Sequence, residues 1–136
     1  MSFPKVLLGK FLLAAAIFAL ATIHDDQREL SAAEAGQPYI DRMNILDRMI
    51  KDIIGEPRAD NLTQCRLMAY GAKACGGPAA YLAFSTARTN EAQLTGLVDE
   101  YNQNARNYNQ VSNRMSDCMF VMEPQIELIS GICKLR

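Results

Sequence analysis

Four cysteines, Cys65, Cys75, Cys118 and Cys133, limit this chain's possible folds more than any other feature. An even number of thiols in a small domain outside the reducing cytoplasm reads as two disulfides. Zinc is disfavoured by spacing: nine, forty-two and fourteen residues separate successive cysteines, whereas structural zinc sites bring their ligands in close pairs. The chain's single histidine, His24, lies far from all of them. Three pairings are open. A nested scheme, Cys65 with Cys133 and Cys75 with Cys118, suits segments that run antiparallel, and it closes the longer loops that the chain-entropy account favours. A local scheme, Cys65 with Cys75 and Cys118 with Cys133, stands close beside it.

The amino-terminal residues address the compartment. Lys5 and Lys10 precede an unbroken apolar run, 11–21, after which the chain turns polar at His24, Asp25 and Asp26. This is the layout of a secretory signal peptide over 1–21, and Ala19-Leu20-Ala21 supplies the small-residue pattern for cleavage after Ala21. A membrane span needs about 20 apolar residues. The stretch from Val6 to Ile23 is interrupted by Gly9 and Lys10, so an uncleaved anchor is the alternative and the only expected route to a membrane. Removing the signal leaves about 115 residues, the length of one domain that can bury only a modest core and profits from covalent staples. The whole chain carries 14 Lys and Arg against 15 Asp and Glu; loss of Lys5 and Lys10 makes the balance more acidic. Such a charge gives no footprint for nucleic acid or anionic lipid.

Residues 22–37 are poor in large apolar side chains and are expected to form a mobile leader. Pro38 then opens a helix with Tyr39, Met43, Leu46, Ile50 and Ile53 on one face, ended by Gly55 and Pro57. Asp47 with Lys51, and Arg48 with Asp52, are spaced to pair on its outer side. The apolar stretches Cys65 to Tyr70 and Tyr81 to Thr86, punctuated by Gly71, Gly76, Gly77 and Pro78, read as two short strands. Asn90 followed by Gln93 marks a second helix start, and Leu94, Leu97, Val98, Tyr101, Ala105 and Tyr108 keep helical spacing toward Asn113. Its other face, rich in Asn102, Asn107 and Asn109, is expected to meet water. Met119 to Met122 and Gln125 to Ile129 read as strands broken at Pro124, and Ser130-Gly131 as a hairpin turn before Ile132 to Leu135. The expected domain, 38–136, is therefore α+β: two helices packed on a small, mainly antiparallel sheet and stabilised by disulfides.

The chemistry is sparse. With His24 as the only imidazole, the familiar Ser and Cys nucleophile arrangements cannot be assembled in the domain. Asp99-Glu100 and Asp25-Asp26 are adjacent pairs; neighbours on a helix diverge and do not converge on one substrate. Gly76-Gly77-Pro78 has no following Lys-Ser or Lys-Thr and reads as a turn beside Cys75. No catalytic residue, metal ligand or cofactor is expected. Tyr70, Tyr81, Tyr101 and Tyr108 are the candidate recognition surface, since tyrosines give rigid amphipathic contact area, although core packing is the commoner use of such residues. Met115, Met119 and Met122 invite the same two readings, adaptable contact or gap filling. Asn61-Leu62-Thr63 is a glycosylation triplet only where the host glycosylates exported proteins.

Cys65, the block Ala74-Cys75-Gly76-Gly77-Pro78 with Tyr81-Leu82 and Ser85-Thr86, then Ser116-Asp117-Cys118, Pro124, and Gly131 with Cys133 resemble a group of small exported bacterial proteins with a four-cysteine framework. The resemblance spans 65–133. It implies a periplasmic or secreted location and a shared cysteine framework, and brings no activity with it. Relatives carry an aromatic residue after the proline, where this chain has Ala79. The function expected is a secreted or periplasmic protein-binding module, an inhibitor or an envelope interaction protein, with an unidentified protein as partner. The alternatives are a hydrolase-type enzyme using carboxylates or tyrosines assembled by the fold, and a structural or membrane-tethered envelope protein.

Overall fold

The computed structural model describes residues 31–113 and 118–136. Helix α1 spans Ala32–Ile54 and is opened by a capping box: the Ser31 hydroxyl accepts from the Glu34 backbone N–H, and the Glu34 carboxylate accepts from the Ser31 N–H. The expected leader is thus helical from Ala32 onward, and Pro38 sits inside the helix rather than at its start. Proline removes one intrahelical donor, but the capped first turn and the strong helix formers Ala32, Ala33 and Ala35 carry the helix past it. Gly36 adds a tertiary reason. A Cβ there would come within 2.8 Å of the Tyr108 ring, so glycine allows this turn to lie directly against the second helix. Residues 22–30 and the signal segment 1–21, with Ala21, lie outside the described residues. Among the described residues no helix is long and apolar enough to cross a membrane.

After Gly55 the chain passes a single 3₁₀ turn at Leu62–Gln64 into strand β1, Cys65–Tyr70, and returns along β2, Ala80–Ser85. The two pair antiparallel with Met68 opposite Leu82 and Tyr70 opposite Ala80. Helix α2, Glu91–Val111, follows, with the Asn90 side chain accepting from the Gln93 N–H as the sequence predicts. Strands β3, Ile126–Ile129, and β4, Ile132–Leu135, form a second antiparallel hairpin. Its turn residues Ser130 and Gly131 both have positive φ, the two-residue geometry that matches strand twist. The architecture is α+β, and the described residues form two separate two-stranded sheets where one was expected.

Strand alternation explains the layering. One face of the β1–β2 pair presents Met68, Tyr70, Leu82 and Phe84 to the helices, where Phe84 is enclosed by Leu46, Ile50, Leu94 and Val98. The opposite face presents Cys65 and Ala83 to a smaller cluster with Ala59, Ile126, Leu128 and Cys133. The connector before β1 reinforces this second layer: Cys133 N–H donates to the Pro57 carbonyl and Ala59 N–H to that of Gly131. Disulfide Cys65–Cys133 therefore staples the two hairpins at the centre of their interface, while Cys75–Cys118 lies outside both clusters. This is the nested pairing.

Candidate binding site

At the end of β1 the chain leaves the sheet through a glycine-rich loop, 71–79. Gly71, Gly76 and Gly77 all have positive φ, which glycine adopts without the steric cost a side chain brings. Inside the loop, Lys73 N–H donates to the Gly77 carbonyl and Gly76 N–H to that of Lys73. Helix α2 holds the loop with two amides. Gly71 N–H donates to Asn102 Oδ1 at 2.6 Å, the Asn102 amide donates to the Ala69 carbonyl at 3.3 Å, and the Asn109 amide donates to the Ala72 carbonyl at 2.9 Å. These side chains, expected to face water, supply the partners that loop backbone groups need when they leave a sheet. A cleft of about 800 Å³ remains between loop and helix, and its lining includes Lys73, Gly76, Gly77, Asn102, Arg106 and Asn113. Among the described residues the lining contains two cations and several amides but no carboxylate.

The loop is tied to a second element. Cys75 bonds Cys118, and Lys73 Nζ donates to the Met119 carbonyl at 2.6 Å. Cys118 has positive φ, and the chain beyond it runs in neither helix nor strand until Ile126. The strand expected at Met119–Met122 is not formed: among the described residues no segment makes a ladder with it. Met119 is 70%, Phe120 81% and Met122 78% exposed, whereas Val121 is half-buried. Among the described residues, 120–124 make no hydrogen bond. Backbone pairing resumes at Gln125, which exchanges both backbone hydrogen bonds with Arg136 and so extends the β3–β4 hairpin by one pair.

The tyrosines are distributed between roles. Tyr70 and Tyr101 stack with ring centroids 4.2 Å apart, and Tyr70 Oη donates to Asp47 Oδ1 at 2.7 Å while Lys51 Nζ binds Asp47 Oδ2 at 2.6 Å. This network joins α1, β1 and α2. Tyr108 lies against Gly36. Tyr81 pairs with Ala69 and therefore occupies the face of the strand pair opposite Tyr70. The fold thus brings together Tyr70 and Tyr101 but separates Tyr81 from them. Of the other sequence candidates, Glu100 is paired with Arg42 at 2.6 Å on the surface and its neighbour Asp99 is exposed. Among the described residues no group of three or more His, Cys, Asp or Glu converges. His24, Met115, Ser116 and Asp117 lie outside the described residues.

The Tyr70 network has a pH signature. Burial first, then hydrogen bonding with Tyr101 and Asp47, raises the Tyr70 hydroxyl above its ordinary value of 10.0. Its neutral form is favoured in the fold, so this stabilisation is complete below pH 10 and declines as the unfolded chain's tyrosine ionises above it. Urea midpoints are expected to fall above pH 10, and Tyr70→Phe should flatten that fall. An unchanged alkaline slope in the variant would remove Tyr70 as its source. Asp47 is shifted the other way, downward, chiefly by the Lys51 hydrogen bond.

No protein-family model matches the chain, and no curated protein or solved structure matches it. Lys73, Asn102, Asn109 and Phe120 emerge from the geometry and were not candidates on sequence grounds. The one hint is that Phe120 lies in an apolar run between Cys118 and Glu123-Pro124.

Proposed function

We propose that this chain is an exported protein-binding module, fastened by its two disulfides, and that the segment Met119–Met122 is its contact element. The observation that carries this reading is three large apolar side chains, Met119, Phe120 and Met122, left in solvent on one short segment fixed at both ends. Clustered exposed apolar groups mark interaction sites in folded proteins. Methionines flanking an aromatic residue form an adaptable rim around a rigid anchor. Fixing the segment through Cys118 and Gln125 reduces the conformational entropy lost on docking. Export rests on the signal peptide read over 1–21 and accords with oxidised cysteines.

The test compares the wild-type chain with a variant carrying Met119→Ser, Phe120→Ser and Met122→Ser. Both are expected in the periplasm or medium with Thr22 as first residue and with the same circular dichroism. Immobilised wild type should retain a protein from the matching extracellular or envelope fraction that the variant does not. Identical retention by both would remove the segment as the contact element.

A further inference from the structure

We infer that the partner is an endopeptidase of chymotrypsin-like specificity, and that residues 118–124 enter its cleft as a substrate-like inhibitory loop with Phe120 in the primary pocket. This deepens the binding reading and rests on it. Three observations converge. First, the backbone donors and acceptors of 120–123 have no partner among the described residues, and a surface segment outside helix and sheet with free main-chain groups can bind by adding a strand to its partner. Second, the most exposed large apolar side chain of the segment is the aromatic Phe120, at 81%. A strand-adding cleft seats a protruding side chain in a pocket, and here that side chain is aromatic.

The third observation concerns what happens after a cut. Attack by the enzyme's serine hydroxyl on the Phe120 carbonyl carbon breaks the Phe120–Val121 bond, and the serine proton passes to the Val121 nitrogen. In an ordinary substrate the amine-bearing fragment then departs. Here the nested disulfides forbid that: Phe120 stays tied through Cys118 to Cys75, and 121–136 stays tied through Cys133 to Cys65. Gln125, paired with Arg136, keeps the new amino end close to the body. The amine remains at high effective concentration beside the acyl group, attacks it, expels the serine and re-forms the peptide. Water attacking instead gives a carboxylate at Phe120 and a chain one water heavier, still a single molecule.

The experiment uses the full oxidised chain, as exported, with α-chymotrypsin and trypsin as probes. Competitive inhibition of chymotrypsin is expected, with slow cleavage confined to Phe120–Val121 and fragments that separate only after reduction. Phe120→Lys, at an exposed position, should weaken chymotrypsin inhibition by about 100-fold and create inhibition of trypsin. Rapid cleavage at several bonds of the oxidised chain would overturn the proposal, as would a dimer that dissociates on Phe120→Lys without any inhibition. Should the extract partner depend on Phe120 while neither enzyme is inhibited, the binding reading stands and this one fails.

Discussion

Replacing Cys65 and Cys133 together by alanine is expected to lower the stability of the oxidised protein by about 5 kcal/mol, enough to abolish cooperative folding near physiological temperature. Two contributions add. The bridge spans 68 residues, and freeing a loop of that length in the unfolded chain costs the fold about 4 kcal/mol on the chain-entropy account. The two sulfurs are also core atoms, since Cys65 is 4% and Cys133 3% exposed among Ala59, Ile126 and Leu128. Removing them leaves a void costing about 1 kcal/mol or more. The comparison with Cys75→Ala/Cys118→Ala separates these effects. That bridge spans 43 residues, and a logarithmic dependence on length barely distinguishes the two loops. It nevertheless lies in neither core cluster, and its loss releases one of the ties on segment 118–124 in the folded state too, offsetting part of the entropy the unfolded state gains. Urea unfolding followed by circular dichroism should therefore show a far larger loss for the first pair. Equal losses would mean that loop entropy alone sets the contribution of each bridge and that the burial of Cys65 and Cys133 adds nothing.

The features legible in the sequence are those set by neighbours close along the chain. Strand β1 runs Cys65–Tyr70 as expected, because its apolar run serves a pair covered on both faces; the Asn90 cap and the Ser130-Gly131 turn are likewise local devices. The start of α1 was equally local, in Ser31-Ala32-Ala33-Glu34, but Pro38 is also a helix-start signal and masked it. The site depends on distant contacts. An apolar run such as Met119–Met122 reads the same whether it is paired in a sheet or left on the surface, and the difference lies in whether another segment approaches it. Asn102 and Asn109 read as solvent-facing amides because nothing local tells that the loop after β1 folds back onto them. Cysteine spacing excluded metal coordination but left nested and local disulfides both open; choosing between them required the layered packing of the two hairpins.

That packing also leads to a chemical distinction between the bridges. A dithiol added to the native protein is expected to open Cys75–Cys118 at least about 100-fold faster than Cys65–Cys133. Exchange begins when a thiolate attacks one sulfur, forming a mixed disulfide, and the reagent's second thiol then displaces the protein thiol and leaves as its own cyclic disulfide. Cys75 and Cys118 are both solvent-exposed, so attack requires no opening of the fold. Cys65 and Cys133 are enclosed by both hairpins and become reachable only when the interface separates, at a cost that lowers the rate by the population of the open state. Alkylation after brief reduction should therefore label Cys75 and Cys118 and leave the other two intact. Such half-reduced protein should keep its circular dichroism, because the core cluster around Phe84 and the hairpin staple are untouched. If Met119–Met122 is the contact element proposed above, it should also lose affinity for the protein that segment binds, since Met119 then keeps the Lys73 contact without the covalent tie of the disulfide. Simultaneous labelling of all four cysteines at low dithiol would show that the domain opens as one unit, and binding unchanged after selective reduction would show that the tether contributes nothing to presenting Phe120.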